Sequence, residues 1–276
     1  MEVKFRLEAP EDYYAVEEMT RETFWTFWEE GENRTICDEH MLVHKLRDID
    51  SFVPELNLVA EVDGKIVGHI IYTKSRIEAE DGETYETLTF GPLTVMPKYQ
   101  SRGIGRALLR HSFEEAKRLG HRAVLIFGHP DYYTRVGFKY AADFGLTTPD
   151  GSTFDAFQVY LLYDGALDGI KGKYFIDPVY MQLTQEETLE FDKRFPPKAA
   201  HILTPIDVLL ERLKPDAARE LKKQGFKSLD VLKSLSEREI SEMSGMDADS
   251  IEIIRATMRE YKFPWGESKG IEETQQ

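Results

Sequence analysis

Residues Gln100–Arg106, QSRGIGR, put two glycines and two arginines immediately ahead of an amphipathic helix. A glycine turn that opens a helix makes a strand-to-helix corner whose first amides have no partner in the helix, a ready seat for an anion. At about 100° per residue, Ile104, Leu108, Leu109, Ser112, Phe113 and Ala116 share one half of the helical wheel. Arg106, Arg110, Glu114, Lys117 and Arg118 share the other. Gly120 closes this helix, and RAVLIFG (Arg122–Gly128) follows as a short buried strand. Strand, glycine turn, helix, strand is the order expected in the middle of the chain.

Upstream, VKFRLE (Val3–Glu8) alternates apolar and polar side chains like an edge strand. Pro10, Glu11 and Asp12 start a helix that the pattern extends through YYAVEEMTRETFWTFW to Trp28. Its aromatics form two sets, Tyr13, Val16, Thr20, Phe24 and Phe27 against Tyr14, Trp25 and Trp28. The first is core. Plain packing is the simplest reading of the second, with a cleft lining or a homodimer contact as alternatives. ICDEHMLVHKLR (Ile36–Arg47) reads as a second helix. Asp63-Gly64 and Asp81-Gly82 lie between β-branched runs, the strongest hairpin signal, and predict a three-strand meander between Leu56 and Val95. TFDAFQVYLL and GKYFIDPVY supply later strands.

The chain has 276 residues, a net charge of −15, one cysteine (Cys37) and no apolar run of membrane length. These exclude an internal disulfide and a cysteine-rich zinc site, and the acidic balance argues against broad phosphate-backbone binding. With no secretory pattern in MEVKFRLEAP, the expected location is the cytoplasm, without a membrane partner.

Which anion, then? A nucleoside-triphosphate loop needs Gly-Lys-Ser/Thr, but Arg106 and Ala107 follow Gly105. A dinucleotide fingerprint needs a third glycine where Leu108 stands. What remains is Q-x-x-G-x-G, from Gln100 to Gly105. With its strand, LTFGPLTVMPKYQSRGIGRALL, it resembles the GNAT superfamily of acyl-CoA-dependent N-acetyltransferases. HPDYYTRVGF, about thirty residues on, resembles that family's second signature. The resemblance covers residues 1–180. It implies an α/β fold, a mixed and mostly antiparallel central sheet with flanking helices, and acetyl-CoA as co-substrate without a metal.

The anion is then the CoA pyrophosphate. Gly103 and Gly105 remove side chains that would hold it away from the helix amides, and Arg102 and Arg106 flank it. The resemblance assigns Gln100, Ser101 and Ile104 to the same loop, and the strand edge at Leu93 and Val95 to the pantetheine arm. An N–H near Val95 would serve the oxyanion. Tyr133 becomes the general acid for the leaving thiolate, with Tyr132 left as core. Glu86 and His129 are the candidate bases, with Glu39, His40 and His44 behind them. His40 and His44 also have a metal-ligand spacing, but no H-E-x-x-H motif or third ligand accompanies it. The acceptor is a primary amine of a small molecule or protein, attacking directly in a ternary complex.

FPPKAAHILTP (Phe195–Pro205) contains three prolines, and short helical patterns follow it. We expect an acyltransferase domain over 1–195, a linker at 196–205, a small all-α domain over 206–266 and a disordered tail at 267–276. Leu221–Met258 resembles the helix-hairpin-helix type domain at the C-terminus of the bacterial RNA polymerase alpha subunit. Asp247 stands where DNA-binding versions carry the second glycine of the hairpin, and Thr204–Gly266 holds eleven Lys and Arg against twelve Asp and Glu. Packing or protein contact is therefore expected rather than nucleic acid. The alternative for the whole chain is a non-catalytic acyl-CoA sensor whose helical domain binds a partner.

Overall fold

The computed structural model describes residues 2–25, 27–30, 33–198, 204–226, 228–235 and 237–261. Contacts divide the chain into two units, Met1–Trp25 with Ile36–Ala199, and Thr26–Thr35 with Ala200–Gln276. The expected tail, 267–276, and residues 199–203 of the expected linker lie outside the described residues.

The first unit is built on one mixed sheet. Its strands are β1 (Lys4–Leu7), β4 (Leu58–Val62), β5 (Lys65–Ala79), β6 (Thr84–Val95), β7 (Ala123–Phe127), β8 (Lys139–Tyr140), β9 (Leu146–Thr147), β10 (Phe157–Leu161) and β11 (Gly172–Phe175). A separate hairpin, β2 (Phe27–Glu30) with β3 (Asn33–Ile36), follows the first helix. The sheet runs β1-β4-β5-β6-β7-β10-β8, and β11 pairs with the far end of β5 and with β9. β1 is the edge, as its alternation predicts. The meander β4-β5-β6 turns at Asp63-Gly64, both with positive φ (50° and 71°), the geometry that Asp-Gly pairs favour.

Helices cover both faces. α1 (Tyr13–Phe24) and α2 (Glu39–Leu46) bury Val16, Val43 and Leu46 against Val59 and Ile71. α3 (Ile104–Arg118) buries the apolar half of its wheel, with Leu58, Ala60 and Val62 beneath it. One strand, β4, thus feeds two cores by its period of two. Ile77, Leu125, Phe157 and Tyr174 centre a third cluster toward β10 and β11. α4 (Pro130–Tyr133) is a single turn after β7, and α5 (Gln185–Asp192) ends the unit. No helix among the described residues is long and apolar enough to cross a membrane.

The first helix is shorter than its pattern. It ends at Phe24, Trp25 is extended (φ −60°, ψ 93°), and Phe27 and Trp28 fall in β2. FWTFW is entirely aromatic or β-branched, a composition that favours strand over helix. α2 likewise starts at Glu39 rather than Ile36, which closes β3. Of the second aromatic set, Tyr14 stacks on Phe195 at 5.1 Å and Trp25 lies under the Arg21 guanidinium at 4.2 Å, both plain packing.

The second unit contains α6 (Asp207–Leu210), α7 (Pro215–Lys223), α8 (Glu237–Ser241) and α9 (Ala248–Glu260) around Leu209, Leu221, Leu232, Ile240 and Ile254. Asp247 caps α9 by accepting from Ser250 N at 2.8 Å, and Lys214 Nζ bridges Asp247 (2.5 Å) and Asp249 (2.9 Å). The two aspartates are therefore engaged by a cap and a cation within the unit, a pairing that hairpin composition alone does not reveal.

Candidate active site

β6 leaves its neighbour where the site begins. It pairs with β7 at Leu88 and Val124, and its register with β5 shifts opposite Phe90–Leu93, the segment that contains Pro92. Proline lacks the N–H that a ladder would use. Met96 N then donates to Val67 O (2.9 Å), so Met96 faces β5. By alternation the backbone groups of Leu93 and Val95 face the opposite edge. The Val95 carbonyl on that edge already accepts Gln100 Nε2 at 2.9 Å, so Gln100 ties the loop to the strand end.

Beyond this edge lies a cleft of about 520 Å³. Ser101 (φ 58°) and Gly103 (φ 82°) turn the chain into α3, and Gly103 has no side chain to cap its first amides. Those amides and the positive end of the helix dipole therefore face the cleft. A Cβ on Gly105 would stand 3.1 Å from Tyr132 Oη and 3.4 Å from a Val95 methyl, so only glycine keeps this wall open. Leu93, Val95, Gln100, Ser101, Gly103, Ile104, Gly105 and Arg106 all line the cleft. Arg102 does not: its guanidinium lies over the Tyr99 ring at 5.7 Å. Thr23, Phe24 and Tyr99 also line it, and Phe24, expected in the core set of its helix, stands in the last turn of α1 on the cleft wall instead.

The two adjacent tyrosines both reach the cleft. His129 O receives the amides of Tyr132 (3.1 Å) and Tyr133 (3.2 Å), closing α4. The rings stand nearly perpendicular, at 89°. Tyr133 packs on Phe90 and Phe138, in space that only Gly128 leaves free, since a Cβ there would lie 2.5 Å from the Tyr133 ring. Burial pushes its phenol well above the ordinary tyrosine range, with Tyr132 adding to the rise. Among the described residues nothing bonds its hydroxyl. Tyr132 is 40% exposed, which corrects its expected place in the core; burial raises its phenol and Arg106 opposes the rise. A single helical turn at a cleft rim lets both side chains reach in.

A second cavity, about 390 Å³, shares Phe24, Leu93 and Tyr133 with the first. Neither candidate base lies on either wall. Glu86 is half exposed in an ion pair with Lys74 at 3.0 Å, and the His129 side chain is 76% exposed. In β6, Glu86 precedes Leu88, so it sits before the strand parts from β7. Its position in the sequence hides that distance. His40 is buried 3.2 Å from Asp192, and burial holds its imidazole neutral; His44 meets Glu17 at 2.9 Å. Glu39, one residue from His40, does line the second cavity. Among the described residues no cluster of three or more His, Cys, Asp or Glu side chains could hold a metal ion.

Comparison with known proteins matches residues 10–138 to the family model for the acetyltransferase (GNAT) family. YhbS of Escherichia coli (strain K12), an uncharacterized N-acetyltransferase, is 36% identical over 135 residues, covering 49% of this chain and 78% of YhbS. YjhQ of the same strain, likewise an uncharacterized N-acetyltransferase, is 38% identical over 110 residues, 39% of this chain and 60% of YjhQ. The crystal structure of E. coli YhbS in complex with CoA superposes with a TM-score of 0.56 at 28% identity, over 66% of this chain and 94% of that one. A GNAT acetyltransferase from Brucella melitensis, solved with acetyl-CoA, shares the fold (TM-score 0.50, 24% identity, 65% of this chain and 98% of that one). With a glycine-opened helix, a parted strand edge and two tyrosines at one cleft, and with these relatives, the chain belongs to the acetyltransferase (GNAT) family as an acetyl-CoA-dependent N-acetyltransferase.

Proposed function

We propose that the protein moves the acetyl group of acetyl-CoA to a primary amine by direct attack, with donor and acceptor bound together. The observation that carries this reading is the shared wall: Leu93 and Tyr133 border both the cleft and the second cavity. A thioester placed there is open to an amine arriving from the far side. Cys37, the sole cysteine, is on neither wall and offers no covalent relay.

In this reading the unpartnered amides at the start of α3, with Ser101 and Arg106, take the pyrophosphate. The outward edge of Leu93 and Val95 takes the pantetheine amides, and the Val95 N–H faces the oxyanion as charge develops. Tyr133 gives its proton to the departing sulfur. Burial raises its phenol. The same dry surroundings raise the proton affinity of the thiolate, so the departing sulfur is a strong enough base to draw the phenol's proton. Arg102, over Tyr99 and off the cleft wall, is read as adding positive charge beside the loop. The helical unit, with no basic surplus and Lys214 bound to two aspartates, is read as a protein-contact module; retention on DNA at low salt would overturn that.

The test is CoA release over a panel of primary amines, with initial rates taken across both substrates. Intersecting double-reciprocal lines are expected; parallel lines would mean a covalent acetyl-enzyme and defeat direct attack.

A further inference from the structure

The second cavity is walled largely by carbon, from Leu42, Phe90, Pro92, Ile126, Phe127 and Ile176, with Thr89 and the tyrosines Tyr133 and Tyr180 as further polar residues. One acidic residue lines it, Glu39 at the first position of α2. Its Oε2 is shut off from water and has no hydrogen-bond partner among the described residues. Ordinary glutamates avoid such a setting, because a buried oxygen left unmatched is costly. Glu39 lines the cavity, and an ammonium group entering there would supply the partner its carboxyl lacks once the side chain turns to meet it.

We propose that this cavity holds the acceptor, a primary amine on an apolar or aromatic body, and that Glu39 accepts the proton its ammonium group must lose. The proposal rests on the amine-acetylation reading above and names its missing base. In the step, an ammonium proton passes to the Glu39 carboxylate and the freed nitrogen pair bonds to the thioester carbon. The C–S pair leaves on sulfur, which takes the Tyr133 proton. The nitrogen's second proton restores the Tyr133 phenol, and Glu39 returns its own proton to solvent.

The electrostatics suit the role. Burial pushes the Glu39 carboxyl up to about 7, against its own backbone amide and with the neighbouring Asp38 charge adding to the rise. The titratable groups sharing its surroundings are Asp38 on the helix cap and Tyr133 and Tyr180 on the cavity wall. Charges on the elements packed against α2 are engaged elsewhere: Glu17 with Arg47, Asp192 with Arg21, Glu187 with Lys45, and Asp177 with Ser51. A base with a pKa near the working pH is the most effective kind.

The test uses the full chain, wild type and Glu39→Gln, with 2-phenylethylamine and ethanolamine as probe acceptors. The wild type should prefer 2-phenylethylamine by roughly tenfold or more, as burial of an apolar body requires, and kcat/KM should level off above pH 7. Glu39→Gln should lose on the order of 10²–10⁴ in kcat/KM at pH 7. Its acetyl-CoA affinity should be kept, and its remaining activity should climb with pH toward the pKa of the amine. A wild-type profile that rises through pH 7 without a bend overturns the proposal without needing the variant. So does a variant within threefold of wild type, and a preference for ethanolamine overturns the apolar acceptor. A wild type that acetylates no amine at all removes the amine reading itself, and Glu39 with it.

Discussion

Replacing Glu39 by glutamine should stabilise the protein, and should do so far more at alkaline than at acid pH. Its carboxyl rises from an ordinary 4.5 to about 7 on folding, chiefly through burial. A carboxyl raised in this way binds its proton more tightly in the folded state. Its ionisation therefore opposes folding above the unfolded value, and the penalty is complete once pH exceeds the folded one. Each tenfold difference in proton affinity is worth about 1.4 kcal/mol. The penalty is then about 1 kcal/mol at pH 5 and about 3 kcal/mol at pH 8. Glutamine keeps an acceptor for the helix amides and removes the charge. Calorimetric melts of wild type and variant, run at both pH values, should differ by only roughly 2–4 °C at pH 5 and by roughly 6–12 °C at pH 8, the variant melting higher. Equal shifts at the two pH values, or a variant that melts lower at pH 8, would refute the claim that a buried carboxylate with one unmatched oxygen sits there.

Three further perturbations separate donor chemistry, positioning and scaffold. Tyr133→Phe should lower kcat by on the order of 10²-fold with acetyl-CoA affinity within twofold, measured by steady-state kinetics and calorimetry; an unchanged kcat removes its role as acid. Gly128→Ala inserts a methyl 2.5 Å from the Tyr133 ring. The ring must shift, so kcat should fall roughly 10- to 100-fold while CoA binding persists. Arg47→Met removes the cation shared by Glu8 and Glu17, which lie 2.7 Å and 2.6 Å from it almost fully buried, and leaves them only Asn57 and His44 as hydrogen-bonding side chains among the described residues. Thermal unfolding should show a loss of about 3–5 kcal/mol, and a loss under 1 kcal/mol would mean the carboxylates find water instead.

Much of the scaffold could be read because its determinants are local. The Asp-Gly turns need a backbone conformation that few residues accept, and the apolar half of α3 needs only its own periodicity. The end of α1 could not be read this way. Phe27 and Trp28 continue the helical spacing of Tyr14 and Phe24, so the periodicity signal runs on while strand propensity and the partner strand β3 stop the helix. Periodicity records which face would be buried if the helix continued, and says nothing about a competing pairing.

The site divides along the same line. The donor cradle is a backbone device confined to Val95–Arg106, so its glycines and their spacing are enough to locate it. The base is a property of a cavity whose walls come from α1, α2, β6, β7, α4 and the turn after β11. Glu39 and Glu86 look alike as residues, and Glu86 even lies in the strand that leads to the loop. What separates them is environment: Glu86 faces Lys74 in water, whereas Glu39 Oε2 is shut off from water with no partner among the described residues. A carboxylate becomes an amine's base through desolvation, and desolvation is decided by residues far away in the chain. The cavity that raises the Glu39 carboxyl is also the cavity that selects the carbon body of the amine, so basicity and acceptor choice here share one physical origin. A substitution such as Leu42→Asp, by admitting water and a second charge, should disturb both together.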